Sequence, residues 1–334
     1  MKKTSYIVLT LLIFTLIFCV FSGKAFADSS TKSEITVKHA LGTTVIPQKP
    51  ERVATIAWCN QDVALALGVA PVGMSRMNFA VDETGVFPWT WEKLKQLGVD
   101  NPVVFEDIDG LDYEAIADTH PDVILAGYSG ITQEEYDRLS EIAPVVAYAK
   151  GPWISTWREQ TIINGEGLGL KDEAEKLILE TEALIAEKVA NYPAIKDKSI
   201  AFCWFSPDDL GNFYIYTNND PRAIYLNDLG FVVPNSVAEE AAKAPEAFAV
   251  TVSAENADKF KDIDVIITYG DKALLEAMQG DARLSTIPAI ANGAVALLDS
   301  NNVIAASSTP SILSIPYMID DYLDLLNGAA EKVK

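Results

Sequence analysis

LDYEAIADTHPDVILAGY, residues 111–128, is the stretch from which the fold can be read. Residues 112–120 have the spacing of a short amphipathic helix opening near Glu114, and residues 121–128 form an apolar run with no alternation. A helix feeding directly into a strand apolar on both faces is the unit of a parallel sheet covered by helices. The same order returns at TVSAENADKFKDIDVIITYG (251–270), where Glu255 opens the helix and Asp264 leads the strand. This is a weak internal repeat.

Working outward, RVATIAW (52–58), APVGMS (70–75) and PVVAYA (144–149) read as further strands. QDVALALG before Val69 and QEEYDRLSEIA (133–143) read as helices between them. Beyond residue 193 the alternation resumes with KSIAFCWF (198–205), NFYIYT (212–217), PRAIYLNDLG (221–230), DVIITYG (264–270) and AVALLDS (294–300). An amphipathic helix, SIPYMIDDYLDLLNG (314–328), closes the chain. Between the halves runs KDEAEKLILETEALIAEKVAN (171–191), free of Gly and Pro. Its Ala174, Leu177, Ile178, Thr181, Leu184, Ile185 and Val189 recur at helical spacing. As a helix it would extend about 31 Å. The expectation is an α/β fold of two doubly wound lobes bridged by one long helix, with a ligand cleft between them. Boundaries fall at 28–170 for the N-terminal lobe, 171–192 for the connecting helix and 193–334 for the C-terminal lobe.

The 334 residues are 49% hydrophobic and 22% charged, ordinary globular values. Twenty-six basic residues against 47 acidic ones give a net charge of −21. Such a balance argues against binding phosphate backbones or anionic lipid. Two His residues, His39 and His120, are too few for a His-rich metal or haem site. The start reads as a secretory signal peptide: MKK, an apolar run from Tyr6 to Phe21 shorter than the about 20 residues of a membrane span, then SGKAFA. Cleavage is expected after Ala27, leaving 23 basic and 47 acidic residues, a charge of −24. The alternative is a lipoprotein anchored through Cys19, although Phe18 before it is bulky. An exported chain with only Cys59 and Cys203 is no disulfide scaffold; two separate buried thiols are favoured over a bridge.

Three motifs tempt and fail. GYSG (127–130) lacks the closing Gly of a nucleophile elbow, since Ile131 stands there, and His120 lies at the far end of the same strand. GEGLG (165–169) follows a helix, so helix termination accounts for it better than dinucleotide binding. EDIDGLDYE (106–114) puts Phe105 at the first position of a calcium loop. No catalytic residue or metal ligand is assigned. What remains are aromatics and arginines at or after strand ends: Trp58, Arg76, Trp89, Trp91, Tyr128, Trp153, Trp204, Phe205, Arg222 and Tyr269. Ligands of doubly wound sheets bind at the carboxyl ends of strands. A cleft of Trp and Tyr with interspersed Arg suits a large, flat, partly aromatic ligand.

At this level the sequence resembles the helical-backbone (class III) extracytoplasmic substrate-binding proteins that serve ferric-siderophore ABC importers. The resemblance rests on the order and spacing of TVKHALGTTVIPQKPERVATIAW, LDYEAIADTHPDVIL, RLSTIPAIANGAVALLD and STPSILSIPYMIDDYLDLL, and covers nearly the whole mature chain. It implies a periplasmic or extracytoplasmic monomer, not an enzyme, that captures a ferric siderophore between its lobes and docks on a permease dimer. Family members also carry cobalamin or haem, and these remain alternatives; an exported hydrolase acting on siderophores is the alternative of another class. Iron in a siderophore is coordinated by the chelator, so no cofactor and no metal ligand is implied. Arg76 and Arg222, one per lobe, are the expected cleft arginines for an anionic catecholate, and Trp58, Trp153 and Trp204 the expected contacts for a neutral hydroxamate. Glu114 and Glu255, matched across the repeat, are the implied permease-docking residues.

Overall fold

The computed structural model of the chain describes residues 34–334. The leader expected at 1–27, with its cleavage point and Cys19, lies outside the described residues. The first described element is a hairpin of β1 (Ile35–His39) and β2 (Gly42–Ile46). It packs against the first sheet, and His39 is buried with its Nε2 2.8 Å from Thr44 Oγ1. Burial lowers its pKa. This histidine belongs to the core.

The first sheet contains β3 (Val53–Thr55), β4 (Gly73–Ser75), β5 (Val104–Phe105), β6 (Val123–Ala126) and β7 (Val145–Ala147). All its pairings are parallel, in the order β5-β4-β3-β6-β7. The second sheet contains β8 (Ile200–Ser206), β9 (Asp209–Tyr216), β10 (Ala249–Ser253), β11 (Val265–Tyr269) and β12 (Val295–Leu298), in the order β10-β9-β8-β11-β12. In each, the chain starts at the central strand, winds to one edge and returns to the other side. Strand order therefore reverses between β3 and β6 and between β8 and β11, the positions where open α/β sheets leave a crevice. In the second sheet β8, β11 and β12 pair in parallel, while β9 runs antiparallel to both β8 and β10. Only Pro207 and Asp208 separate β8 from β9, too short for a crossover, so the strands form a hairpin.

The repeat has a physical basis. Asp112 and Ser253 are N-caps, and Glu114 and Glu255 stand two residues later in each. Asp122 Oδ2, at the entry to β6, accepts from the backbone N–H of Arg52, just before β3, at 2.9 Å. Asp264 Oδ2, at the entry to β11, accepts from Ser199 N, just before β8, also at 2.9 Å. Each aspartate ties the start of one central strand to its neighbour. The helices differ in type: Tyr113–Asp118 is α-helical, Ala254–Lys259 is 3-10.

The chain passes between the sheets through helices Trp157–Gly167 and Lys171–Val189. The long helix packs on Trp157–Gly167 and on the closing helix Ser314–Ala330. Arg158 joins three elements, bonding Glu182 at 2.6 Å and Asp228 at 2.8 Å. The seam between the sheets is apolar: Val63 and Trp157 belong to the same buried cluster as Ile319, Tyr322 and Leu323, and Cys59, Met77, Phe87 and Trp89 pack with Ala306 and Met318. Cys59 and Cys203 are free and buried.

Candidate functional site

At the carboxyl end of β3 the chain makes a tight turn. Ala57 and Cys59 take left-handed conformations (φ 62° and 55°), which costs a non-glycine residue energy, and Trp58 is displayed between them. Asn60 holds this turn to the one after β6. Its Nδ2 donates to the carbonyls of Ile56 (2.7 Å) and Tyr128 (2.8 Å), and its Oδ1 accepts from Tyr128 N (3.0 Å) and Asn164 Nδ2 (2.8 Å). Gln160 Nε2 donates to Trp58 O at 3.0 Å. A fully buried amide with its polar atoms engaged makes a rigid mount.

Trp153 arrives from the loop after β7, again with positive φ (61°), its N–H donating to Ser129 O at 3.0 Å. Its indole packs closely against Gly130, where an added Cβ would fall 2.1 Å from Trp153 Nε1. Tyr128 meets it edge-on at 5.3 Å. GYSG is thus the seat of a tryptophan. Ser129 is buried, and among the described residues its hydroxyl donates to a backbone carbonyl, Ala126 O, rather than to a base.

The second lobe contributes one face of its sheet. Trp204 of β8, Tyr216 of β9 and Tyr269 of β11 point the same way, as the two-residue periodicity requires. Arg222 lies 4.0 Å over the Tyr216 ring and forms a two-pronged pair with Asp220, Nε to Oδ1 at 2.8 Å and Nη2 to Oδ2 at 2.6 Å. Burial works against the guanidinium charge, but the Asp220 pair outweighs it and raises the pKa of Arg222. Phe79, from the loop after β4, crosses the seam to meet Tyr269 edge-on at 5.4 Å.

Together these residues wall a cavity of about 510 Å³ between the lobes. Trp58, Tyr128, Trp153, Trp204, Arg222 and Tyr269, all anticipated from the sequence, line it; so do Phe79, Tyr216, Asp220, Phe248, Ser300 and Thr309, which were not. One signal for Asp220 was present. Asp before Pro is a helix N-cap with Pro at the first helical position, and Asp220 does cap Pro221–Asp228. Its carboxylate therefore had to lie near residue 222. Arg222 and Asp220 are the charged residues of the lining and cancel, so the cavity is aromatic and uncharged overall. Among the described residues, no three His, Cys, Asp or Glu side chains gather to hold a metal ion.

Four anticipated residues lie elsewhere. Trp89 is buried in helix Pro88–Gln96, stacked on Phe87 at 4.5 Å, with its Nε1 donating to Asp62 at 2.9 Å. Trp91, on the same helix, donates to Thr84 Oγ1 at 3.3 Å. Pro88 starts a helix here, and neither ring lines the cavity. Phe205 follows Trp204 in β8 and so faces the other side of the sheet, buried and stacked on Phe213 at 5.1 Å. Arg76 faces an adjoining crevice, where its Nη1 bonds Glu106 at 3.0 Å and its Nη2 the carbonyl of Glu83. Glu114 and Glu255 are exposed; Glu255 bonds Arg283 at 3.2 Å, and Glu114 has no ion pair among the described residues.

Residues 53–302 match the family model described as periplasmic binding protein. The probable siderophore-binding lipoprotein YfiY of Bacillus subtilis (strain 168) is 28% identical over 79% of each chain. The iron(3+)-hydroxamate-binding protein YxeB of the same organism is 23% identical across both full lengths. Among solved structures, Streptococcus pneumoniae TIGR4 PiaA in complex with ferrichrome is 50% identical, with a TM-score of 0.86 over 90% of this chain and 100% of that one.

Proposed function

The chain belongs to the periplasmic binding protein family, and on that premise we propose that it captures a ferric siderophore outside the cytoplasm and delivers it to an ABC-importer permease, with ferric hydroxamates as the preferred cargo. One observation carries the hydroxamate assignment: the cavity is walled by aromatic rings, and its one arginine is neutralised by Asp220. A ferric tris-hydroxamate is uncharged and gains from aromatic contact and apolar burial. A ferric tris-catecholate, with about three negative charges, would meet no net positive charge here and would face the field of an acidic protein. The 50% identity to PiaA, which was solved with ferrichrome, supports the same cargo.

The chelator fills the iron's coordination, so the protein's part is to surround the complex. Trp58, Trp153, Trp204 and Tyr216 supply ring faces. Arg222 Nη1, left without a partner among the described residues, can donate to an iron-bound hydroxamate oxygen while the Asp220 pair holds the guanidinium in place. No bond of the cargo is made or broken, so the role is carriage rather than catalysis. Glu114 and Glu255 present one carboxylate from each lobe to basic residues of the permease. The name of YfiY, a probable siderophore-binding lipoprotein, favours the lipid-anchored form over the freely soluble one.

Titration of the protein's Trp fluorescence tests the cargo. Ferrichrome is expected to quench saturably at one per chain and to be recovered unchanged. Binding of haem or cobalamin, with no response to any ferric siderophore, would overturn the proposal. Release of chelator fragments over time would point to a hydrolase instead.

A further inference from the structure

We infer that the crevice beside the aromatic cavity is a second compartment of the same site, which takes a protonated amine carried as a side arm of the ferric chelate. The inference rests on the function proposed above. The crevice measures about 320 Å³ and opens at the carboxyl edge of the first sheet. Ala57 follows β3, Ser75 ends β4, Asp107 follows β5 and Gly130 follows β6, and strand order reverses between β3 and β6. Trp58 and Trp153 line both spaces, so a chelate held in the aromatic cavity touches the wall of the crevice.

The charges differ between the two spaces. In the cavity Arg222 and Asp220 cancel. In the crevice the lining charges are Arg76, Asp107 and Glu135. Arg76 is taken up by Glu106 at 3.0 Å and by the carbonyl of Glu83. Asp107 accepts a hydrogen bond from the Ser75 hydroxyl, and Glu135 from the backbone N–H (2.7 Å) and hydroxyl (3.0 Å) of Thr132. Neither carboxylate has a cation within 4.0 Å among the described residues, so the crevice holds two uncompensated negative charges. Burial raises the pKa of Asp107, a cost that a bound ammonium offsets. An alkylammonium also presents its apolar stem to the two indoles on the way in. A neutral or anionic arm gains none of this.

The test compares ferrioxamine B, a linear ferric tris-hydroxamate ending in a free primary amine, with its N-acetylated form, and uses ferrichrome as the control for the aromatic cavity. With the full chain, the free amine is expected to bind about tenfold more tightly than the acetylated form, the scale of one hydrogen bond between charged groups. Asp107→Asn combined with Glu135→Gln should abolish that preference and leave ferrichrome affinity unchanged; a glutamine side chain still serves the Thr132 cap. Equal affinity for the two linear chelates, or a preference that survives the double substitution, overturns the inference. So does binding of ferrichrome with neither linear chelate, an outcome that leaves the proposed function standing. Failure of all three hydroxamates to bind removes the proposed function itself.

Discussion

Residue 222 sets the charge of the site only together with residue 220. Asp220→Asn would leave a guanidinium in the cavity wall without its counter-charge, at a cost of about 3–5 kcal/mol for a buried pair broken on one side. The variant should melt earlier, and its selectivity should move toward anionic tris-catecholates, as competition titration would reveal. Unchanged selectivity would mean that Arg222 does not face the cargo. Arg76→Ala, by contrast, should leave ferrichrome affinity unaltered, because Arg76 lies in the neighbouring crevice. Asp62 is a different kind of residue. It is fully buried and accepts from Trp89 Nε1 (2.9 Å), Thr90 Oγ1 (2.7 Å) and, across the seam, Ser311 Oγ (2.5 Å). Burial without a cation pushes its carboxyl from 3.8 up to about 6, against the donors that hold it down. The folded state therefore binds this proton more tightly than the unfolded chain. The stability it lends is fully present below about pH 4 and is lost as pH rises to about 6, by roughly 3 kcal/mol. Denaturant midpoints of wild type and Asp62→Asn should accordingly diverge across pH 4–6, with the variant gaining relative to wild type. Parallel pH profiles would show that Asp62 titrates as an ordinary acid.

At the scale of elements, glycine motifs that mimic catalytic or nucleotide-binding signatures act as packing devices. In GEGLG, a Cβ on Gly165 would fall 2.5 Å from Ala174 Cβ, and one on Gly167 2.8 Å from Val146 Cγ2. The first glycine lets helix Trp157–Gly167 close on the long helix, and the second lets it close on the first sheet. In GYSG, Gly130 has no left-handed backbone that would itself demand glycine, so the contact with Trp153 is the reason for the residue. Gly130→Ala should displace the indole and weaken ferrichrome binding by about 1–2 kcal/mol, the cost of losing a well-packed aromatic contact. The decisive comparison is in a Trp153→Ala background, where Gly130→Ala should add nothing. An additive loss there would mean that Gly130 acts through some other group.

At the scale of the molecule, the two capped glutamates occupy equivalent places in the two lobes. Each lies two residues after its N-cap and is exposed. A carboxylate there also steadies its own helix by about 0.3–1 kcal/mol, so binding and stability must be read separately. The double variant Glu114→Ala, Glu255→Ala should keep ferrichrome affinity and lose most permease-stimulated ATP hydrolysis. Intact stimulation with a lowered Tm would reduce both residues to helix capping. Glu255→Ala also frees Arg283, although Asp281 still holds that guanidinium at 2.7 Å.

Much of this architecture was legible in the chain because it depends on short-range physics. Unbroken apolar runs mark strands buried on both faces, and the spacing from Glu114 to Asp122 recurs nearly unchanged from Glu255 to Asp264. Each is a relation among residues a few positions apart, so the sequence alone determined two α/β lobes, a long helix between their sequences and an aromatic-rich edge. The tertiary structure decided which aromatics line the cavity. Trp58 and Trp89 are equally apolar in sequence. Trp58 stands between two left-handed residues that display it, and Trp89 turns toward a buried carboxylate, Asp62, 27 positions earlier. The structure also decided the charge of the cavity and of the crevice beside it. Whether an arginine is free or neutralised depends on distances of about 3 Å between side chains, and no periodicity in the sequence encodes those.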